Sequence, residues 1–315
     1  MAVIRRNIVT DHAARDAFVA GVLALKSEFL GTTTTDLGLP GPAQPVSTYD
    51  LFIAWHHLAM GRMTPPTQSD RNAAHSGPVF LPWHRLMLLL LELQLQRVLN
   101  DTTVGLPYWD WAADGDLPGG QQPLAPLWQP GGIGGTGTPV TDGPFRPSEF
   151  RVRIASDITG RLRPTDRGLD RELGADPAAP TLPTTATQTT TLRETRYDRP
   201  PWNRGSTGFR NRVEGWQPFG MHNKVHVWVG GDMGPASSPN DPVFYLNHCN
   251  EDRLWEAWMT RRGRTYLPAQ TESADLAMHR INDPMYSILI NQPITPAQML
   301  DVTAFYTYDQ LPPTP

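Results

Sequence analysis

The sequence predicts a mainly α fold in which a central four-helix bundle is surrounded by long irregular loops and few short strands. Two observations lead to this prediction. Besides an N-terminal helix, four segments with the pattern of helices carry histidines, and proline (32) and glycine (27) make up close to a fifth of the 315 residues. The first observation indicates helices whose side chains converge, and the second indicates much ordered loop around them.

Helical spacing of apolar residues and recognisable helix starts predict five main helices. Thr10 or Asp11 suits the cap of the first helix, Ser47 and Asp50 have the spacing of a capping box, and Asp241 followed by Pro242 suits the start of the last helix. The predicted helices cover residues 10–30, 47–61 and 82–99, a segment that contains His222 and His226, and residues 242–262. Between them, residues 31–45 are predicted as loop and residues 112–201 as mostly irregular, with short strands and one short helix.

Composition excludes several classes of function and structure. The net charge of -4 gives no indication of a nucleic acid or an anionic membrane as partner. The single cysteine, Cys249, allows neither an intrachain disulfide nor a cysteine-based zinc site. The longest apolar run, residues 86–91, is far too short to span a membrane, and the N-terminus has no apolar signal region. We therefore expect a soluble cytoplasmic protein, although export with a partner stays open.

Six of the nine histidines form two triplets, whereas His12, His57 and His279 have no comparable setting. His222 and His226 are four residues apart, which places both rings on one face of a helix. His56 and His57 are adjacent, so at most one of them faces the interior. The two triplets are His56, His75 and His84, followed by His222, His226 and His248.

Three imidazoles leave a metal ion with an open position, and an all-imidazole site suits copper or zinc. Two such sites facing each other would make a dinuclear centre, which points to dioxygen chemistry at copper. A dizinc hydrolase would normally have a bridging carboxylate, and none is evident. The segment between His222 and His226 also lacks the glutamate base of the zinc peptidases.

Two longer motifs resemble those of the type 3 copper family, most closely the bacterial tyrosinases. One family motif has the form D-x-F-x-x-x-H, a loop histidine and F-L-P-W-H-R; this chain has DLFIAWH and FLPWHR. The other has the form H-N-x-V-H-x-W-V-G-G and D-P-x-F-x-L-H-H-x-x-x-D-R-L-W; this chain has HNKVHVWVGG and DPVFYLNHCNEDRLW. The match covers nearly the whole chain and selects His56 over His57. It departs at Asn247, where the family often has a histidine.

The resemblance implies a single catalytic domain over residues 1–315, without the C-terminal covering domain of fungal and plant relatives. It implies two copper ions, with dioxygen as co-substrate. His56, His75 and His84 would hold the first copper, and His222, His226 and His248 the second. It also implies catalytic roles for Glu214 and Asn223, pocket positions for Phe244 and Ala236, and pairing of Arg5 or Arg6 with the C-terminal Tyr/Asp segment.

The implied activity is oxidation of phenols to o-quinones, by ortho-hydroxylation of monophenols and oxidation of o-diphenols. The alternative is a catechol oxidase or o-aminophenol oxidase that lacks monophenolase activity, and an oxygen-binding protein is less favoured. The partners expected are a small phenol and, as an open possibility, a copper-delivery protein.

Overall fold

The structure, a computed structural model, describes residues 2–313. These residues form eight α-helices, six short strands and several short 3₁₀ turns. The helices are α1 (His12–Ser27), α2 (Thr48–Met60), α3 (Phe80–Leu99), α4 (Trp111–Gly115), α5 (Thr185–Leu192), α6 (Phe209–Glu214), α7 (Met221–Val229) and α8 (Val243–Arg262). The strands are β1 (Val3–Arg5), β2 (Phe29–Thr33), β3 (Pro45–Ser47), β4 (Val152–Ser156), β5 (Leu162–Arg167) and β6 (Tyr306–Tyr308).

Helices α2, α3, α7 and α8 form the predicted central bundle. Trp55 of α2 and Trp83 of α3 have ring centroids 4.8 Å apart, and Tyr49 of α2 meets Tyr245 of α8 at 5.8 Å. Helix α8 is buried over most of its length, and α3 packs against both α8 and α1. Burying large aromatic side chains between helices is strongly stabilising, so this contact region is the main hydrophobic core.

Two predicted helix starts are confirmed in atomic detail. Ser47 and Asp50 form a complete capping box at α2, with the Ser47 amide donating to Asp50 Oδ2 at 2.9 Å. Asp11 caps α1 by accepting the Ala14 amide at 2.9 Å. Helix α8 begins one residue later than predicted, at Val243 with Pro242 as N-cap, and the Asp241 carboxylate accepts the Val243 amide at 3.0 Å while it pairs with the buried Arg171.

One local prediction is wrong. The first helix ends at Ser27, and residues 29–33, predicted as helix end and loop, form β2 paired with β3. The exposed Phe29 and Leu30 do not continue the buried face of α1, so nothing favours further helix there. The one short helix predicted within residues 112–201 is α5, in the threonine-rich segment, where the Thr184 hydroxyl caps it by accepting the Thr187 amide at 3.3 Å.

The two termini are tied together by a parallel pairing of β1 with β6. Arg5 lies with its guanidinium carbon 3.4 Å from the ring centroid of Tyr306 and donates to the Tyr308 hydroxyl at 3.4 Å. Arg6 instead faces Asp11 near the surface. Of the two arginines proposed from sequence, Arg5 therefore makes the contact.

No helix in the part of the chain described is both long and apolar enough to cross a membrane.

Candidate metal centre

The first histidine triplet is built from α2, the following loop and α3. His56, His75 and His84 are all buried, and each offers one ring nitrogen such that the three atoms lie within 4.8 Å of one another. His56 Nδ1 contacts the Ala236 carbonyl at 2.7 Å, and His84 Nδ1 contacts the Phe80 carbonyl at 2.8 Å. These contacts fix the ring orientations and direct the Nε2 atoms of both rings toward the centre of the triplet.

The loop that carries His75 is shaped by its neighbours. Asn72 Oδ1 accepts the backbone amides of Ala74 at 3.0 Å and of His75 at 2.7 Å. Ser76 follows in a left-handed conformation, with φ of 62°, and its amide donates to Glu214 Oε1 at 2.5 Å. A positive φ is costly for a serine, so the surrounding contacts must hold this residue in place.

The second triplet lies on α7 and α8. The nitrogens of His222, His226 and His248 also lie within 4.8 Å of one another. His226 Nδ1 contacts the Met233 carbonyl at 2.7 Å. His222 Nδ1 contacts Asn223 Oδ1 at 3.0 Å and the Glu214 carbonyl at 3.3 Å. The predicted one-turn spacing on a helix therefore brings the two α7 imidazoles together.

Gly215 allows the chain to return from Glu214 to His222. It ends α6 with φ of 88°, and a Cβ added there would lie 1.7 Å from the Gly220 carbonyl oxygen. A side chain at this position is excluded by both the conformation and the close approach of the backbone. The glycine thus permits the contact between the Glu214 carbonyl and the His222 ring.

His248 differs from the other members in the partner of its Nδ1. That atom lies 3.1 Å from Oε2 of Glu251, one turn further along α8. The Glu251 carboxyl is buried, and neither of its oxygens has an aligned hydrogen bond to another described residue. Burial raises the pKa of Glu251 well above its ordinary value, and the nearby Glu214 carboxylate acts in the same direction.

The two triplets face each other across the bundle. The rings of His84 and His248 are stacked, with centroids 4.1 Å apart and planes inclined by 6°. His75 and His222 are 5.8 Å apart at their ring centroids. The six imidazoles therefore form one continuous cluster with two metal-sized centres.

The cluster has the properties of a set of neutral metal ligands. Five Nε2 atoms are buried without a hydrogen-bond partner among the described residues, which is costly unless a further group binds them. Desolvation lowers the pKa of all six rings, to about 3 for His56 and about 4 for His226, so the rings are neutral near pH 7. The five atoms belong to His56, His84, His222, His226 and His248.

The two predicted pocket residues lie around the cluster in different ways. Phe244 is fully buried, with its ring centroid 4.9 Å from that of His56 and 4.2 Å from that of His248. Ala236 is half-buried and contacts His56 through its carbonyl oxygen. The described residues that line the open pocket beside the cluster include neither of them.

The two predicted catalytic residues lie on the second-triplet side. Glu214 is fully buried; its Oε2 accepts from Arg210 at 2.9 Å, and its Oε1 accepts from Ser76. Burial raises the pKa of the Glu214 carboxyl, while Arg210 acts in the opposite direction. Asn223 lines the pocket, and its Nδ2 is buried without a partner among the described residues.

A pocket of about 290 Å³ opens onto both triplets. It is lined by His56 and His75 from the first triplet and by His222 and His226 from the second. Its outer wall includes residues that the sequence analysis did not select, among them Arg204, Trp216 and Phe219. A substrate the size of a single substituted ring would reach the histidines through this opening.

Comparison with known proteins identifies the family. Residues 46–261 match the common central domain of tyrosinase. The chain belongs to the tyrosinase family. It is 39% identical over 312 residues to a tyrosinase from Streptomyces glaucescens, covering 97% of this chain and 98% of that protein. This relationship confirms the resemblance to bacterial tyrosinases, and the family has a dinuclear copper site.

Solved structures share the tyrosinase-family fold. A polyphenol oxidase mutant from Thermothelomyces thermophila aligns with a TM-score of 0.72 at 19% identity, over 98% of this chain and 88% of that one. A functional unit of octopus hemocyanin aligns with a TM-score of 0.59 at 21% identity, over 98% and 69% of the two chains. Both comparisons support the predicted mainly helical fold.

The remaining histidines and the cysteine are outside this tyrosinase-family centre. His57 turns away from its neighbour and contacts Ser156 Oγ at 3.2 Å. His279 is buried and contacts Thr64 Oγ1 at 2.7 Å. Cys249 is buried, with its Sγ 3.4 Å from the Leu106 carbonyl.

Of the residues that sequence reasoning missed, Glu251 had a usable signal, because it is three residues after His248 on a helix. Arg204 had none.

Proposed function

We propose that the chain binds two copper ions and uses dioxygen to oxidise phenols to o-quinones. The observation that carries this proposal is the pair of facing triplets of buried, neutral histidines at the base of one pocket. The balance is simple: a monophenol and dioxygen give an o-quinone and water, whereas two o-diphenols and dioxygen give two o-quinones and two waters. The copper pair, when bound, supplies the electron exchange with dioxygen.

The six histidines would hold the copper ions as assigned from the sequence, three to each ion. The buried contacts of their Nδ1 atoms would keep five of the rings oriented with Nε2 available, which suits neutral imidazole ligands. Phe244 would form the apolar floor between the two ions, and Ala236 would act through its backbone by orienting His56. The pocket walls would align the phenol ring and exclude water.

Glu214 and Asn223 are proposed to assist monophenols. Such substrates must lose the phenolic proton, and a positioned carboxylate that works through a water held by Asn223 is a suitable base. Replacing Glu214 by glutamine is expected to lower kcat/KM for a monophenol by about 100-fold and for an o-diphenol by less than about tenfold. Paired oxygen-uptake assays with the two substrates measure the difference.

A variant of Asp198 provides the control, because Asp198 also pairs with Arg210, whereas the amide of Ser76, beside His75, donates to Glu214. If D198N and E214Q lower both activities in parallel with a fall in Tm, Glu214 has only a structural role. N223L should change the ratio of monophenol to o-diphenol activity in the same direction as E214Q.

Glu251 is expected to help His248 hold the second copper. Carboxyl groups that contact a ligating imidazole set its orientation, and losing one typically lowers metal affinity about 10- to 100-fold. E251L should therefore release one of the two copper ions to a competing chelator sooner than the unaltered protein does. Glu256 lies on the same helix but pairs with Arg85 and Arg264, so E256Q should release copper as the unaltered protein does.

One experiment tests the function as a whole. Copper per chain is measured after loading, and oxygen uptake is compared for a monophenol, an o-diphenol and an o-aminophenol. Two copper ions with uptake on the first two substrates support the proposal. Uptake without monophenol would select the catechol oxidase or o-aminophenol oxidase alternative, which the tyrosinase relatives do not favour. Reversible oxygen binding without turnover would indicate an oxygen-binding protein.

Three further expectations are part of this proposal. Residues 1–315 act as a single catalytic domain. A copper-delivery protein loads the site, which can be tested by comparing copper content after expression with and without candidate partners. The cytoplasmic location expected from the sequence stays a prediction.

A further inference from the structure

The pocket beside the histidine cluster is lined by one charged side chain, that of Arg204, among the described residues. The other lining residues are apolar, neutral and polar, or histidines whose pKa burial has lowered. No aspartate or glutamate of the described residues shares the lining. Apart from the proposed metal ions, a substrate that enters this pocket therefore meets one fixed charge among the described lining side chains, and that charge is positive.

Arg204 is held in a defined position although it is exposed. Its Nε donates to Ser76 Oγ at 3.0 Å, and its guanidinium carbon lies 4.3 Å from the Trp216 ring centroid. Its carbonyl accepts from Asn211 Nδ2 at 3.1 Å. Because Arg204 stacks on an indole and is held through both its side chain and its backbone, it has less conformational entropy to lose when it binds a ligand.

The neighbouring arginines are neutralised, whereas Arg204 is not. Arg210 pairs with Asp198 and Glu214, and Arg212 pairs with Glu194 at 2.6 Å. No carboxylate of residues 2–313 forms an ion pair with Arg204, and neither of its Nη atoms has a hydrogen-bond partner there. The two Nη groups are therefore available to a ligand, in the arrangement that recognises a carboxylate with two parallel hydrogen bonds.

We propose that Arg204 makes this site selective for phenols that carry a carboxylate on the side of the ring away from the reacting hydroxyl. The inference rests on the proposed phenol oxidation and names the substrate class. With the hydroxyl directed to the histidines, a short acidic side chain extends toward the pocket rim, where Arg204 lies. Arg204 is a binding residue in this proposal and takes no part in proton or electron transfer.

The test compares three phenols that differ only in terminal charge: 3-(4-hydroxyphenyl)propionate, its primary amide and the corresponding amine. For the copper-loaded protein, kcat/KM should be about fivefold to tenfold higher for the carboxylate than for the amide, and lowest for the amine. The difference in kcat/KM between the carboxylate and the amide should come from KM rather than kcat, and it should decrease as salt is added. R204Q should remove the preference, and R204K should retain part of it, because lysine keeps the charge without the paired donors.

R212Q is the matched control, since it removes one positive charge from the adjacent helix outside the pocket. It should keep the carboxylate preference, and copper content should be equal in all variants. Equal activity on carboxylate and amide in the unaltered protein, or an equal decrease of both in R204Q, would overturn the assignment of Arg204 while leaving phenol oxidation intact. Inactivity on all three phenols and on a neutral o-diphenol would instead contradict the proposed function.

Discussion

Replacing His56 by glutamine is expected to reduce bound copper from two ions to one per chain and to lower phenol oxidation by more than about a thousandfold. His56 is buried, its ring contacts those of His75 and His84, and its Nε2 has no partner among the described residues. The variant would leave two imidazoles to hold the first ion. Copper is counted by metal analysis of the purified protein, and activity by oxygen uptake with an o-diphenol.

The adjacent histidine supplies a close control. H57Q changes the same residue type one position along α2, but His57 is half-buried and contacts Ser156 instead of the cluster. It should keep two copper ions and most of the activity. Retention of two ions in H56Q, or loss of an ion in H57Q alone, would contradict the choice of His56 as ligand.

This pair of residues shows what sequence reasoning can decide. Helical geometry required that only one of His56 and His57 face the interior, and the family motif selected His56. The structure directs the His56 ring into the cluster and that of His57 toward β4. The helical fold, the histidine-bearing helices and membership of the tyrosinase family were all predicted correctly, because helix caps, residue spacing and long motifs are local features of the chain.

The features that were missed depend on long-range contacts. Residues 29–33 form a strand because β3 pairs with them. Arg204 lines the pocket because Ser76, 128 residues earlier, and Trp216 hold it there. No local pattern carries that information. The roles of Glu214, Asn223, Phe244 and Ala236 stay predictions until variants are measured.

The second large effect concerns stability and the charges buried at the meeting point of the termini with α3 and α8. Asp252 accepts from Arg85, from Arg5 at 3.2 Å, and from the hydroxyls of Tyr306 and Tyr308 at 2.6 Å each. All these groups are buried or nearly so. Burial alone would raise the pKa of Asp252, but Arg85 and Arg5 outweigh it and hold the pKa below its usual value. The carboxylate is therefore ionised in the folded protein.

D252N is expected to lower the free energy of unfolding by about 3 kcal/mol at pH 7, the low end for breaking a buried ion pair, because Arg5 and Arg85 lose a shared counter-charge but keep Glu92 and Glu256. D166N is the control, since Asp166 pairs with Arg151 at the surface, where such a pair contributes about 1 kcal/mol or less. Urea unfolding of the three proteins measures both effects.

The pH dependence of this loss follows from the direction of the Asp252 shift. A carboxyl group whose pKa is lowered by folding contributes stability above its unfolded pKa, about 4, and that contribution decreases as the pH falls below this value. The difference between the unaltered protein and D252N should therefore be largest near neutrality and should shrink in acid. A difference that stays constant from pH 7 to pH 3 would mean that shape rather than charge at residue 252 stabilises the joined termini.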